Sequence, residues 1–330
     1  MGFELGRTYS GYEFLDHVNQ SKNIIAYRVR NTLTQRQELL HILPQGAQDE
    51  PQRVERFTRE MRVRAGLCHP HIAALYNAAE IEGELVMTTE LVEGPTLAEL
   101  LATTPIAWRE AVAIVRQALA ALAYAHDRDV IHRDINPENI IISPGGVLKL
   151  TNFGMAKLMH GPQLTQSGTI MGNLKYIAPE QVRGGVDLDA RSDIYSLGIV
   201  LYEMLCGAPP FDSKSEFELM MAHVNNRPPR PSLLDSSIPR ALDEVVLKAL
   251  AKDPADRYQN AREFDEALEE AVRPPAEEQP AAEQPRGAAA LLSEYKADQR
   301  ASVSMRWTIV GGATAGVCVA LLAIWFAGGW

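Results

Sequence analysis

From Trp307 to Trp330 the chain carries no charged side chain. A helix rises about 1.5 Å per residue, so roughly twenty apolar residues cross a hydrocarbon core of about 30 Å. A helix buried in a soluble core is seldom so long, and the tryptophans at both ends of this run are residues that settle at membrane interfaces. Residues 307–327 are therefore expected to form one transmembrane helix, and the chain before them must fold as a separate unit. Lys296, Arg300 and Arg306 precede the run and no basic residue follows it. The positive-inside rule then predicts a single pass through the cell membrane with the preceding region cytoplasmic. Gly312 and Gly316 make a G-x-x-x-G step, a spacing that lets two such helices approach and offers a homodimer contact. Glycine is also simply common in membrane spans, which is the competing reading.

A second boundary lies at Arg273. The stretch "RPPAEEQPAAEQPRG" is rich in Pro, Glu, Gln and Ala, so 273–305 reads as an extended linker followed by a juxtamembrane segment. What remains, 12–272, changes character once. Up to about residue 91 it is strand-like with one helix: "ELLHILP" and "GELVMTTELVEG" are short apolar runs bounded by turn residues, and "PQRVERFTREMRVRAGL" has helical spacing with Val54, Phe57, Met61 and the stem of Arg64 on one face. From about 94 on helices dominate, and "RSDIYSLGIVLYEMLCGAPPF" is so apolar that it should be buried on most sides.

Some functions can be set aside. A net charge of −10 gives no basic surface to release counterions from nucleic acid. Three cysteines in unrelated contexts, Cys68, Cys206 and Cys318, make neither a disulfide framework nor a metal spacing. His69 and His71 read as a turn around Pro70 rather than ligands. The first ten residues lack the apolar stretch of a signal peptide, and Gly6 stands at the hydroxyl position of a myristoylation signal.

Four stretches, "VIHRDINPENIII", "LKLTNFG", "YIAPEQ" and "DIYSLGIVLYEMLCGAPPF", occur in this order and on the expected elements. Together they resemble the bacterial Ser/Thr protein kinase family over roughly 12–272. The resemblance implies an α+β, bilobal protein-kinase-like fold: a small β-rich N-lobe over about 12–91, a larger α-helical C-lobe over about 94–272, and a hinge near Glu90, Leu91 and Val92 for the adenine. It also implies ATP and Mg²⁺ as cofactors, and a protein partner or substrate in the C-lobe groove.

Position by position, the resemblance places Asp134 as acceptor of the substrate hydroxyl proton and Asn139 as second metal ligand. Asn152 takes the place of the principal metal-binding aspartate, and Asn136 that of the loop lysine which steadies the phosphoryl. Asn173 replaces a threonine of the activation segment. His41 occupies the strand lysine position, with Glu60 its helix partner; whether the two touch is left open. Leu39 replaces the small residue that roofs the adenine. Asn19, Ser21 and Ile24 replace the glycines over the phosphates, with Ala26 following. Glu180, Arg257 and Asp193 match positions that hold the fold. Departures thus gather where nucleotide and metal are handled, which points to a pseudokinase acting by binding or scaffolding. The alternative is an atypical, weakly active kinase with Asp134 as base, with Lys22 or Arg28 reaching the phosphates from a new direction. Thr165, Ser167 and Thr169 are candidate phosphorylation sites whose phosphate Arg133 could receive; a polar loop is the equal alternative.

Overall fold

The computed structural model describes residues 3–20, 24–43, 50–153, 157–158, 173–184 and 188–273. Strands β1 (Thr8–Tyr9), β2 (Tyr12–Gln20), β3 (Ile25–Asn31), β4 (Gln37–Ile42), β5 (Leu75–Ile81) and β6 (Glu84–Glu90) form one sheet in the order β1-β2-β3-β4-β6-β5. Every pairing is antiparallel. Side chains alternate across the sheet with period two. Phe14, Tyr27, Val29, Leu40, Ile42 and Val86 build one apolar layer. Met87, on the opposite face, packs with Leu43 and with Phe57 of helix α1 (Pro51–Ala65). Leu39 and His41 share that helix-facing side and are half-buried. The interior stripe of α1 is Phe57, Glu60, Val63 and Arg64, so two charged residues are inside with the apolar ones.

After β6 the chain passes to the C-lobe through a tight crossing. Gly94 has φ +139°, and a Cβ there would overlap the Ile142 carbonyl oxygen and stand 2.9 Å from its carbon. Only glycine fits a backbone approach this close. Thr96 then caps helix α2 (Leu97–Thr103): its hydroxyl accepts from Glu99 N and the Glu99 carboxylate accepts from Thr96 N.

The C-lobe contains α3 (Trp108–His126), α4 (Pro179–Arg183), α5 (Ala190–Cys206), α6 (Glu216–Asn225), α7 (Pro231–Leu234), α8 (Arg240–Ala249) and α9 (Ala261–Val272). Helix α5 is the axle, with Ile194, Tyr195, Leu197, Ile199, Val200 and Leu201 all fully buried, as its unbroken apolarity predicts. Two short pairs carry the site: β8 (Ile140–Ile142) with β9 (Leu148–Leu150), and β7 (Val130–Ile131) with β10 (Lys157–Leu158). Below them Arg257 donates to both Glu180 oxygens at 2.8 and 2.7 Å. Its remaining N–H groups reach the carbonyls of Ala251, Arg191 and Lys252, so the buried charge is paired and its donors are satisfied.

The bilobal α+β architecture expected from the sequence is present. Among the described residues no helix is long and apolar enough to cross a membrane. The segment 307–327, the linker, Ser21, Lys22 and the hydroxyl residues Thr165, Ser167 and Thr169 lie outside the described residues.

Candidate functional site

The catalytic-loop segment is held from below by one carboxylate. Asp193, in the first turn of α5, accepts from His132 N and Arg133 N at 2.8 Å each, and lies 2.8 Å from His126 Nε2. Burial alone would raise this carboxyl, but His126 and the backbone amides outweigh it and hold it below the usual range. His132 is buried, its ring 4.5 Å from that of Phe153, and its Nε2 lies 2.9 Å from the Thr151 carbonyl. Burial pushes its basicity down. These contacts fix Asp134 at the cleft edge, with Arg133 at φ +69° turning the backbone.

Around Asp134 stands a chain of amides. Asn136 Nδ2 donates to Oδ1 at 3.0 Å, and Asn173 N reaches the same oxygen at 3.3 Å. Asn139 Nδ2 donates to Oδ2 at 2.9 Å. Asn139 Oδ1 in turn accepts from Asn152 Nδ2 at 3.2 Å. Asn152 sits at φ +57°, a left-handed conformation that asparagine and aspartate tolerate well, so the backbone keeps the shape an acid would need.

That chain bears on the metal the sequence resemblance implies. Mg²⁺ takes oxygen ligands in a near-octahedral set, normally with one or two carboxylates. Here Asn139 turns its oxygen to an N–H, and Asn152 presents an N–H where a carboxylate would bind. Among the described residues no cluster of three or more acidic, His or Cys side chains could hold a metal. The residues present do not fit Mg²⁺.

On the cleft roof, His41 Nε2 lies 3.2 Å from Thr89 Oγ1. Burial, with the Arg64 guanidinium adding to it, pushes His41 from an ordinary 6.5 down to about 3. The strand position of the lysine is therefore neutral at physiological pH. Glu60 pairs with Arg64, four residues on along its own helix, at 3.0 Å with each side chain only 5% exposed. Among the described residues His41 and Glu60 have other partners, by register and by helix spacing: β4 pairs with β6 so that His41 reaches Thr89, and an i,i+4 arginine pairs with the glutamate.

At the hinge, Glu90 ends β6 and Val92 follows, half-buried. The Glu90 carboxylate accepts from Lys149 Nζ at 2.8 Å and Ala74 N at 3.2 Å, tying the sheet to β9. Leu39 is half-buried on the same strand face as His41. Ile24 lies at the start of β3, Ala26 is buried and pairs with His41 across the ladder, and the backbone of Asn19 pairs with Ala26. The strands thus bring the backbone of Asn19 and of Ala26 alongside His41. Three further residues of the site, Arg64, Thr89 and Lys149, belong to none of the motif positions; only the Glu60-to-Arg64 spacing gave a signal in the sequence.

The protein kinase domain model matches residues 20–271. The chain is 34% identical over 263 residues to the serine/threonine-protein kinase PrkC of Bacillus subtilis, covering 79% of this chain and 40% of the relative. It is 44% identical over 216 residues to the serine/threonine-protein kinase PknB of Mycolicibacterium smegmatis, covering 63% of this chain and 34% of the relative. It therefore spans well under half the length of these relatives. In structure it resembles the kinase domain of PknI from Mycobacterium tuberculosis, with TM-score 0.64 and 30% identity, over 82% of this chain and 100% of that one.

Proposed function

The chain belongs to the bacterial Ser/Thr protein kinase family, with a eukaryotic-like kinase domain, and from that premise we propose that it is a member that signals by binding rather than by transferring phosphate. The observation that supports this most directly is the amide chain from Asn152 through Asn139 to Asp134. Phosphoryl transfer depends on neutralising and positioning the triphosphate, and little of it is covalent help from the protein. The metal-facing oxygen of Asn139 is engaged, the metal aspartate is an amide, and the strand cation is a neutral histidine. Removing such electrostatic stabilisation costs most of the rate even when the base survives.

In this reading the domain is a cytoplasmic scaffold tethered through 307–327, and its partner is a protein. Arg133, Asp134, Asn173, Tyr176 and Gln181 line a recess in the C-lobe of only about water size, so such a chain would lie across it and not within it. A second reading has one observation in its favour: Asp193 holds the catalytic loop by two backbone amides, and Asp134 is retained. On that reading the protein is an atypical Ser/Thr kinase.

Incubating the full chain with γ-labelled ATP, Mg²⁺ or Mn²⁺ and a generic protein substrate separates the two. The expected result is no transfer above that of Asp134→Asn. Robust transfer, abolished by Asp134→Asn, would establish the atypical kinase instead.

A further inference from the structure

Among the described residues Lys149 and Lys175 pair with carboxylates, whereas no carboxylate pairs with Lys252. This lysine follows α8, in the turn that leads to Arg257, and is half-buried. Its Nζ donates to the Tyr195 hydroxyl at 3.2 Å. It stands 4.5 Å from the centre of the Phe211 ring and 5.4 Å from that of Tyr195. A second cation shares the Tyr195 ring, with the Arg257 guanidinium 4.8 Å from its centre.

These contacts hold the nitrogen in place and disfavour its extra proton. Phe211 and Tyr195 are buried, so they take water away from the ammonium. Their ring faces attract a cation, yet they carry no formal charge to set against a guanidinium. Beyond them, the Tyr195 hydroxyl lies 3.1 Å from Nδ1 of His223, a wholly buried ring whose basicity burial, with the Lys252 charge adding to it, pushes down to about 4. His223 is therefore neutral, and its Nδ1 accepts the Tyr195 proton while the Tyr195 oxygen accepts from Lys252. Burial first, then the charges of Arg257 and Arg183, push Lys252 itself from an ordinary 10.5 down to about 8. At a pH of about 7.5 roughly a quarter of such a lysine is free amine, against about a thousandth of an ordinary one. One N–H stays on Tyr195, which leaves the nitrogen lone pair uncommitted.

We propose that Lys252 is a nucleophilic lysine and a site of covalent acylation by small acyl phosphates. The ammonium first gives one proton to water. The free nitrogen then attacks the acyl carbon, so that an N–C bond forms while the C–O bond to phosphate breaks and its electron pair leaves on the phosphate. A second nitrogen proton goes to that group, which departs as hydrogen phosphate, and the product is an uncharged amide. Cationic surroundings that disfavour the ammonium favour a doubly negative donor and leaving group, so an acyl phosphate suits the site better than an uncharged ester. The inference stands whether or not the domain transfers phosphate from a nucleotide.

The test is incubation of the full chain with acetyl phosphate, with acetylation at each lysine followed by peptide mass spectrometry over time. Lys214 and Lys248 are exposed and serve as comparators within the same molecule; Lys248 also lies over a ring, that of Tyr258, at 4.4 Å. At a pH of about 7.5 Lys252 should react at least about fivefold faster than either, as its larger share of free amine dictates. Its rate should level off above about pH 8, where the amine is already mostly free, whereas an ordinary lysine keeps gaining up to about pH 10. Lys252→Arg keeps a cation that can reach the Tyr195 hydroxyl, and should remove the fast phase from the intact-mass time course while leaving the rates at Lys214 and Lys248 unchanged. A rate at Lys252 no greater than those of the comparators, a rate that climbs with pH in parallel with theirs, or a fast phase that survives Lys252→Arg each overturns the proposal. The first two outcomes are read on the unmodified protein, so the proposal stays falsifiable even if the variant fails to fold.

Discussion

Restoring the missing acid is the most direct perturbation of the site. In Asn152→Asp the Nδ2 donor that reaches Asn139 Oδ1 at 3.2 Å is lost, and two acceptor oxygens then face each other. The backbone does not object, since φ +57° suits aspartate as it suits asparagine. A single hydrogen bond at a partly exposed position contributes about 1 kcal/mol net. For a domain of this size that is about 2–4 °C in Tm, measured in EDTA. The new carboxylate also joins Asp134 as a second negative charge, which adds to the loss. With Mg²⁺ the sign should reverse, because the introduced carboxylate, Asn139 and water can now ligate the ion. At a hundred times Kd, binding stabilises by about 2.7 kcal/mol, more than the lost bond. The unmodified protein should show no such Mg²⁺-dependent shift. Labelled-phosphate transfer by the variant should nonetheless remain at background, because His41 stays neutral and Leu39 stays in the roof. Differential scanning fluorimetry with and without EDTA, followed by the transfer assay, checks each step. An equal Mg²⁺ shift in parent and variant, or activity gained by this one change, would refute the reasoning.

Three other outcomes are expected. Arg257→Met leaves Glu180 buried without its partner, which costs about 3–5 kcal/mol, so denaturant unfolding of the full chain should show a midpoint lowered accordingly, with Leu33→Ser, at a position 92% exposed, as an unaffected control. The folded-state basicity of His41 is depressed to about 3 and that of His223 to about 4, both by burial first. The unfolded chain therefore binds more protons below about 6.5, stability is full above that pH and falls as pH drops toward 4, and His41→Gln should give a flatter Tm-against-pH profile than the parent. Finally, if 307–327 spans the membrane as proposed, protease added to intact cells should leave the kinase-like region undigested, and its digestion there would contradict the orientation expected from Lys296, Arg300 and Arg306.

Much of this architecture is legible in the sequence because burial patterns are local. Alternation in "ELLHI" and the long apolar α5 announce their elements, and the motif order places Asp134, Asn139 and Asn152 side by side. Partner choice is less legible. Thr89 meets His41 only because β4 and β6 pair in one register, with Leu39 opposite Thr89 and His41 opposite Met87. A slip of one residue would turn a different side chain to the cleft. Arg64 was readable as an apolar stem on the helix face, yet its charge is also buried, and the clue was the i,i+4 spacing from Glu60. The bond from Asn152 to Asn139 depends on two loops meeting, which no spacing along the chain encodes.

The crossing at Gly94 sets a tolerance for everything downstream. The carbonyl it would strike belongs to Ile142, the last residue of β8, three positions after Asn139. Pro95 O accepts from Ile142 N at 3.0 Å, and Thr96 bridges to Ile141, so the hinge exit and β8 are stitched edge to edge. A carbon meets a carbonyl oxygen at about 3.3–3.6 Å, so a methyl group at 94 would need about an ångström of extra room. The strand that must yield begins one residue after Asn139. The glycine therefore works as a feeler gauge: it sets the gap between the interlobe connection and the amide chain. Gly94→Ala would register as a change at Asp134, through Asn139, before it registered as unfolding.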